Sequence, residues 1–255
     1  MNRKEDYIAV FDSGVGGISV LRQLLRFLPN ERYIYYGDSA NAPYGTRPTE
    51  QVRRLSLEVA EKLMQRGLKA LVVACNTATA AAIDTLREKY PDTIVIGIEP
   101  ALKLAADHFP GGRIAVLATP VTLREEKFQH LLHRYGADCR VFSIPAPGLV
   151  ELVESGHTDD RETDALLRPL LTPHAGELDA VVLGCTHYPF ATNAIARLVG
   201  ANVALLDGGE GTARETKRRL EEAGLLWDGP GQVIMESSSH DPAVIALAKR
   251  LLEHP

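Results

Sequence analysis

Some classes of protein are disfavoured by what this sequence lacks. It holds three cysteines among 255 residues, Cys75, Cys139 and Cys185, and an odd number does not form a disulfide framework. No apolar run approaches the roughly 20 residues that span a bilayer, and the N-terminus lacks the apolar region of a signal peptide. We therefore expect a cytoplasmic protein whose thiols stay reduced, with no membrane partner.

An excess of positive charge is also missing. Lys and Arg number 28 against 33 Asp and Glu, which gives a net charge of -5. Surfaces that bind nucleic acids or anionic membranes need clustered Lys and Arg, so we expect no nucleic-acid partner. What is present is an ordinary globular composition, 45% hydrophobic and 24% charged.

Apolar strands alternate with amphipathic helices along the chain. This alternation predicts the α/β class, with mainly parallel sheets flanked by helices. The pattern restarts after Pro110-Gly111-Gly112. The 63 residues from Asp12 to Cys75 nearly match the 66 from Thr119 to Cys185, which indicates an internal duplication.

The duplication predicts two pseudo-symmetric α/β lobes with a cleft between them. We expect the first lobe to comprise residues 1–98 plus 207–255, and the second to comprise residues 99–206. The tail after residue 207 would then return to pack on the first lobe. The carboxyl ends of the strands, where open α/β sheets bind ligands, would face each other across the cleft.

Two cysteines follow buried strands in turns of matching form. Val181-Val-Leu-Gly184 leads into Cys185-Thr-His187, and Leu71-Val-Val-Ala74 leads into Cys75-Asn-Thr77. A helix that starts at each cysteine is expected to lower the pKa of its thiol. The alternative is that both are small buried hydrophobic residues, the common state of a free cysteine and the one we expect for Cys139.

The turn after the first strand carries polar and glycine residues. Asp12-Ser13 would either cap the next helix or act on a ligand. Gly14-Val-Gly16 begins a dinucleotide-binding G-x-G-x-x-G pattern. The third glycine is replaced by Ser19, and Asp38 is the acidic residue after the second strand, so the match to that pattern is weak.

Neutral polar residues lie at the other predicted carboxyl edges. Tyr44-Gly45, Asn76-Thr77 and Thr186 supply donors and acceptors suited to an amino acid's carboxylate and ammonium. The alternative for each, taken singly, is a capping or turn role. Their clustering at one edge favours ligand binding.

Together, four segments resemble the signature segments of glutamate racemases, cofactor-independent members of the aspartate/glutamate racemase group. The segments are Phe11-Asp-Ser-Gly-Val-Gly-Gly17, Tyr36-Gly-Asp-Ser-Ala-Asn-Ala-Pro-Tyr-Gly-Thr46, Ala74-Cys-Asn-Thr-Ala-Thr79 and Leu183-Gly-Cys-Thr-His-Tyr-Pro189. The resemblance implies two α/β domains with the active site between them, no cofactor or metal, and a homodimer. It also implies that L-glutamate and D-glutamate are interconverted to supply D-glutamate for peptidoglycan.

The resemblance also assigns roles to residues. Cys75 would take the α-proton of D-glutamate and Cys185 that of L-glutamate, with Asp12 and His187 near the two thiols. The implied substrate-binding residues are Asp12, Ser13, Tyr44, Gly45, Asn76, Thr77, Thr119, Thr122, Thr186 and His187.

A further carboxylate is expected near the second thiol. The acidic segment from Gly148 to Gly156 offers Glu154 and Glu151, and the resemblance favours Glu154 as the catalytic residue. The sequence departs from the family pattern nearby. Glu125 stands where a serine is usual three residues after Thr122.

Inversion at Cα explains why two thiols would be needed, because one face must lose a proton while the other gains one. A thiol, with an ordinary pKa of about 8.5, lies closer to neutrality than Lys or Tyr. Three rival functions stay open at this point. They are an aspartate or other amino-acid racemase of the same fold, a nucleotide-dependent α/β oxidoreductase, and a two-lobed amino-acid-binding protein.

Overall fold

The computed structural model describes residues 4–135 and 138–253 and contains two parallel sheets. The strands of the first sheet are β1 (Tyr7–Asp12), β2 (Arg32–Gly37), β3 (Leu68–Val73), β4 (Ile94–Gly97) and β9 (Gln232–Ser237). The strands of the second are β5 (Arg113–Ala118), β6 (Arg140–Pro145), β7 (Ala180–Gly184) and β8 (Ala204–Asp207). The predicted α/β class with parallel sheets is confirmed.

The two sheets repeat one topology. The first has the order β4-β3-β1-β2-β9 and the second the order β6-β5-β7-β8. Read in matching directions, four strands of each sheet follow the same order, which agrees with the duplication inferred from spacing. The tail supplies β9, which pairs in parallel with β2 from Arg32 opposite Gln232 to Gly37 opposite Ser237.

Helices cover both faces of each sheet. Those packed on the first sheet are α1 (Ile18–Phe27), α2 (Thr49–Met64), α3 (Asn76–Lys89), α10 (Gly209–Glu222) and α11 (Pro242–Glu253). Those of the second are α4 (Leu102–His108), α5 (Pro120–Arg124), α6 (Glu126–Tyr135), α7 (Leu149–Glu154), α8 (Arg161–Leu171) and α9 (Thr192–Val199).

Strand alternation places a hydrophobic core on each face. In β1, Ile8 and Val10 pack with α1, α10 and α11, whereas Ala9 and Phe11 pack with α2 and α3. All four side chains are fully buried. Residues on successive positions of a strand point to opposite faces, so a continuous apolar run is what a sheet covered on both sides requires.

We call the first sheet with its helices the first lobe and the second sheet with its helices the second lobe. The chain passes between the two at residues 98–101, after β4, and at residues 207–208, between β8 and α10. The predicted limits, residues 1–98 plus 207–255 and residues 99–206, stay a prediction. Within the described part of the chain, no helix combines the length and apolar character needed to cross a bilayer.

Candidate active site

The carboxyl ends of both sheets enclose one small cavity. Its volume is about 10 Å³. It is lined by Ser13, Pro43, Tyr44, Gly45, Cys75, Asn76, Thr77, Thr119, Val150, Cys185, Thr186 and His187. The two thiols thus meet at one cavity from opposite lobes. Most of the substrate-binding residues expected from sequence line it too.

Cys75 lies at the start of α3, directly after β3. Its Sγ accepts a hydrogen bond from the N–H of Ala78 at 3.4 Å and donates to Oγ of Ser13 at 3.6 Å. Burial, with the charge of Asp12, raises the pKa of the Cys75 thiol to about 12, although both hydrogen bonds act in the other direction. The expectation of a lowered pKa at this helix start is therefore wrong for Cys75, because burial outweighs the helix.

Cys185 begins a chain of contacts that runs into the first lobe. Its Sγ lies 3.7 Å from Nδ1 of His187, whose Nε2 lies 2.7 Å from Oε1 of Glu154. The same carboxylate oxygen accepts the N–H of Val15 at 2.7 Å. Glu154 therefore belongs to the second lobe but is anchored on the turn of the first. Glu151, its alternative, is exposed on α7.

The His187 imidazole and the Glu154 carboxylate stabilise each other's charged forms. Burial opposes an imidazolium, but the contacts with Cys185 and Glu154 outweigh it and raise the pKa of His187 well above its usual 6.5. Burial would likewise raise the pKa of Glu154, but His187 and the Val15 N–H lower it below its usual value. The pair is therefore a buried ion pair that offers Cys185 a cationic neighbour.

Asp12 is fully buried and contacts both lobes. One carboxylate oxygen accepts the N–H of Gly14 at 2.9 Å, and the other accepts the hydroxyl of Thr186 at 2.9 Å. Burial raises the pKa of this carboxyl, and the charge of His187 counters part of the rise. The capping alternative is wrong, because α1 begins after Gly17 with no side-chain cap.

Three threonine hydroxyls meet where the lobes touch. Thr77 Oγ1 lies 3.1 Å from both Thr119 Oγ1 and Thr122 Oγ1, which are 3.0 Å apart. Beside them, Oδ1 of Asn76 is buried and has no hydrogen-bond partner among the residues that the structure describes. An unpartnered buried polar atom is costly, so Asn76 is poised to bind a polar ligand.

The loop after β2 lines the cavity with Tyr44 and Gly45, and the Tyr44 hydroxyl is bonded to a carboxylate of the same loop. The Tyr44 hydroxyl donates to Oδ2 of Asp38 at 2.6 Å, and Asn41 donates to both oxygens of that carboxylate at 3.1 Å. A Cβ on Gly45 would lie 2.7 Å from Cβ of Thr119, so only glycine lets the lobes touch there. Asp38 is thus committed to holding Tyr44, which removes the acidic residue of the dinucleotide interpretation.

Glycines in the first turn admit side chains from the second lobe. A Cβ on Gly14 would lie 1.8 Å from Oε1 of Glu154, and one on Gly16 would lie 2.3 Å from Nδ1 of His187. These glycines therefore serve lobe contact instead of phosphate binding. Sequence reasoning missed Val150, which lines the cavity. It lies four residues before Glu154 and therefore on the same face of α7.

Sequence comparisons with known proteins match this chain to amino-acid racemases. The sequence model of the Asp/Glu/hydantoin racemase family matches residues 10–216. The glutamate racemase of Clostridium botulinum (strain Alaska E43 / Type E3) is 44% identical over 256 residues, which cover 99% of each chain.

Solved structures agree over nearly the whole chain. A Thermus thermophilus glutamate racemase in complex with beta-chloro-D-alanine superposes with a TM-score of 0.85 at 40% identity, covering 98% of this chain and 94% of that one. A Francisella tularensis glutamate racemase in complex with D-glutamate gives a TM-score of 0.86 at 26% identity, with the same two coverages.

Proposed function

We propose, from the premise that this chain belongs to the Asp/Glu/hydantoin racemase family and acts as a glutamate racemase, that two cysteines exchange protons with Cα of glutamate. One observation carries the proposal. Cys75 and Cys185 come from equivalent strand ends of the two lobes and line the same cavity. Groups on opposite walls can reach opposite faces of one carbon, which inversion requires.

The surroundings of the thiols support distinct starting states. At neutral pH Cys75, with its pKa raised to about 12, is a neutral thiol that can deliver a proton. Cys185 has the imidazole of His187 3.7 Å away as a proton acceptor or cationic partner. We assign removal of the α-proton of L-glutamate to Cys185 and reprotonation to Cys75, with the roles reversed for D-glutamate.

Binding and charge stabilisation fall to the polar residues of the cavity. The amide N–H group of Asn76, with Thr77 and Thr186, supplies donors for the α-carboxylate, where charge develops as the α-proton leaves. Losing one such donor costs about a hundredfold in kcat in other enzymes. The unpartnered Oδ1 of Asn76 can accept a hydrogen bond from the substrate's ammonium group. We assign Asp12 to bind the ammonium group of the substrate. We also propose that Asp12, Glu154 and His187 are catalytic residues beside the two thiols.

The remaining donors suit the side-chain carboxylate. Ser13, Tyr44, Gly45 and Thr119 line the rest of the cavity, and the Thr122 hydroxyl lies 3.0 Å from that of Thr119. We propose that they bind the glutamate γ-carboxylate. No step in this chemistry uses a cofactor. The wider role proposed is that of a cytoplasmic homodimer that supplies D-glutamate for peptidoglycan.

The proposal is tested with purified protein and L-glutamate in D2O, without added cofactor. We expect loss of the α-proton signal and formation of D-glutamate that carries deuterium at Cα. No reaction with L-glutamate, together with exchange on L-aspartate, would transfer the assignment to an aspartate racemase. A saturable ultraviolet difference spectrum on titration with NAD would instead support the oxidoreductase alternative, and binding without exchange would support a binding protein.

A further inference from the structure

The cavity between the thiols is too small for the substrate proposed above. At about 10 Å³ it holds at most a single water, and an amino acid with two carboxylates is many times larger. Substrate entry therefore requires the lobes to separate. The two chain crossings lie together, since a Cβ on Gly208 would lie 2.2 Å from the Glu99 carbonyl oxygen, and they form the natural hinge.

Most hydrogen bonds between the lobes involve groups that would contact substrate. Asp12 accepts from Thr186, Glu154 accepts from the Val15 N–H, and Thr77 meets Thr119 and Thr122. A bound glutamate can replace these bonds with its own. They therefore cannot hold the lobes together independently of the substrate.

Among the residues that the structure describes, two further hydrogen bonds join the lobes away from the hinge. The Ser19 hydroxyl donates to the carbonyl of Thr186 at 2.9 Å, and Thr186 lines the cavity. In the second bond both residues lie outside it. The Thr49 hydroxyl, on the first residue of α2, donates to Oε1 of Glu125, which directly follows α5. Neither residue lines the cavity between the thiols. The Thr49 hydroxyl makes no capping bond in its own helix, which begins after Pro48 without a side-chain cap. A carboxylate near a helix N-terminus is also favoured by the helix dipole.

This bond joins the two segments that wall the cavity. Thr49 follows the loop that carries Tyr44 and Gly45, and Glu125 follows α5, the short helix that Thr119 caps. Gly45 already packs against Thr119. A hydroxyl-to-carboxylate bond is charge-assisted and stronger than one between neutral groups. The serine that the family resemblance places at position 125 has a shorter, uncharged side chain.

We propose that Glu125 is a positioning residue that holds the two lobes closed on glutamate through Thr49, without taking part in proton transfer. The inference rests on the proposed racemisation and goes beyond it. Because the bond is broken when the lobes part and restored when they close, it stabilises the closed complex in both reaction directions. Its strength sets how tightly glutamate is retained.

The test compares kcat and KM of Glu125→Gln, Glu125→Ser and Thr49→Val for L-glutamate and D-glutamate. We expect KM to rise about tenfold for Glu125→Ser and Thr49→Val, the effect of one charge-assisted hydrogen bond, while kcat changes less than twofold. Glu125→Gln should raise KM less, because its amide oxygen can still accept the hydrogen bond of the Thr49 hydroxyl. Thr49→Val added to Glu125→Ser should change KM no further, because the shorter serine has already removed the bond. Glu126→Gln, a change of the adjacent exposed glutamate, is the matched control and should leave both constants as in the wild type.

A second measurement separates closure from folding. Small-angle scattering of Glu125→Ser without substrate should give a larger radius of gyration than that of the wild type. An unchanged KM and radius in a folded Glu125→Ser variant would overturn the inference, as would an equal rise in KM for Glu126→Gln. If the wild-type protein does not racemise glutamate, the proposed function itself fails. That result differs from the two outcomes that would overturn only the role of Glu125.

Discussion

Two opposing electrostatic effects meet at the Cys75 thiol. The start of α3 favours a thiolate, but an effect of this kind is worth about 0.3 to 2 kcal/mol. The rise of the pKa from 9.0 to about 12 corresponds to about 4 kcal/mol against the thiolate. Burial is the larger effect, so Cys75 is a neutral thiol at neutral pH and must lose its proton before it can act as the base for D-glutamate.

The ion pair of His187 and Glu154 should make stability depend on pH within a definite window. The raised pKa of His187 adds stability that is complete below its usual 6.5 and is lost as pH rises through the folded value. The lowered pKa of Glu154 adds stability that is complete above its usual 4.5 and is lost as pH falls through the folded value. The stabilisation is therefore complete between pH 4.5 and 6.5.

Glu154→Gln tests this window. We expect the variant to lose about 3 kcal/mol of unfolding free energy inside it, the low end for breaking a buried pair, and less on either side. Urea unfolding at a series of pH values measures the difference. Glu151→Gln, an exposed change on the same helix, serves as control. A loss that does not vary with pH would contradict the assigned charges.

The turn between β1 and α1 makes room for side chains of the second lobe because Gly14 and Gly16 have no side chains of their own. A Cβ on Gly14 would lie 1.8 Å from the Glu154 carboxylate, so Gly14→Ala must displace that carboxylate or keep the lobes apart. We expect kcat/KM to fall more than about a hundredfold, because a small misplacement of a catalytic group has that effect. Steady-state kinetics with both enantiomers measures the loss.

Gly211→Ala is the matched control for that change. A Cβ there meets nothing within 4 Å, and the residue lies within α10. Alanine should therefore stabilise the helix by about 0.5 to 1 kcal/mol and leave kcat/KM unchanged. Equal activity of Gly14→Ala and Gly211→Ala would show that Glu154 does not need its place on the turn.

For individual helices, strands and turns, the sequence is most informative about the ends of the strands. Apolar runs that finish in Cys75 and Cys185 predict the two site turns, because parallel strands deliver their last residues to one edge. The contacts of these turns are not predictable from local pattern. Gly14 and Glu154 are 140 residues apart, and their packing is set by how two lobes meet. The sequence predicts a lowered pKa for Cys75, and the structure gives a raised one for the same reason, since burial is a property of the assembled cleft.

In the whole molecule, the tail is tied to the first lobe by a buried ion pair. Lys69 on β3 pairs with Glu31, and both side chains are fully or almost fully buried. Lys69 also donates to the Leu225 carbonyl, and Glu31 accepts the N–H of Trp227. The pair therefore joins the sheet to the segment that leads into β9.

Lys69→Met tests how much the ion pair with Glu31 contributes to the free energy of unfolding. Removing the cation leaves the Glu31 carboxylate buried without its partner, which costs about 3 to 5 kcal/mol. Replacing both residues in Lys69→Met/Glu31→Gln should restore much of the loss. Denaturant unfolding measures both variants, and a single variant as stable as the wild type would contradict this account of the tail.

In the proposed mechanism the symmetry of the reaction follows from the duplicated architecture, because each lobe brings one thiol to the cleft from an equivalent strand end. The most direct test follows glutamate in D2O with Cys75→Ser and Cys185→Ser, using proton NMR at Cα and chiral separation. We predict that Cys75→Ser exchanges the α-proton of L-glutamate only, that Cys185→Ser exchanges that of D-glutamate only, and that neither racemises. Full racemase activity in either variant, or exchange of both enantiomers by both, would contradict the two-thiol mechanism.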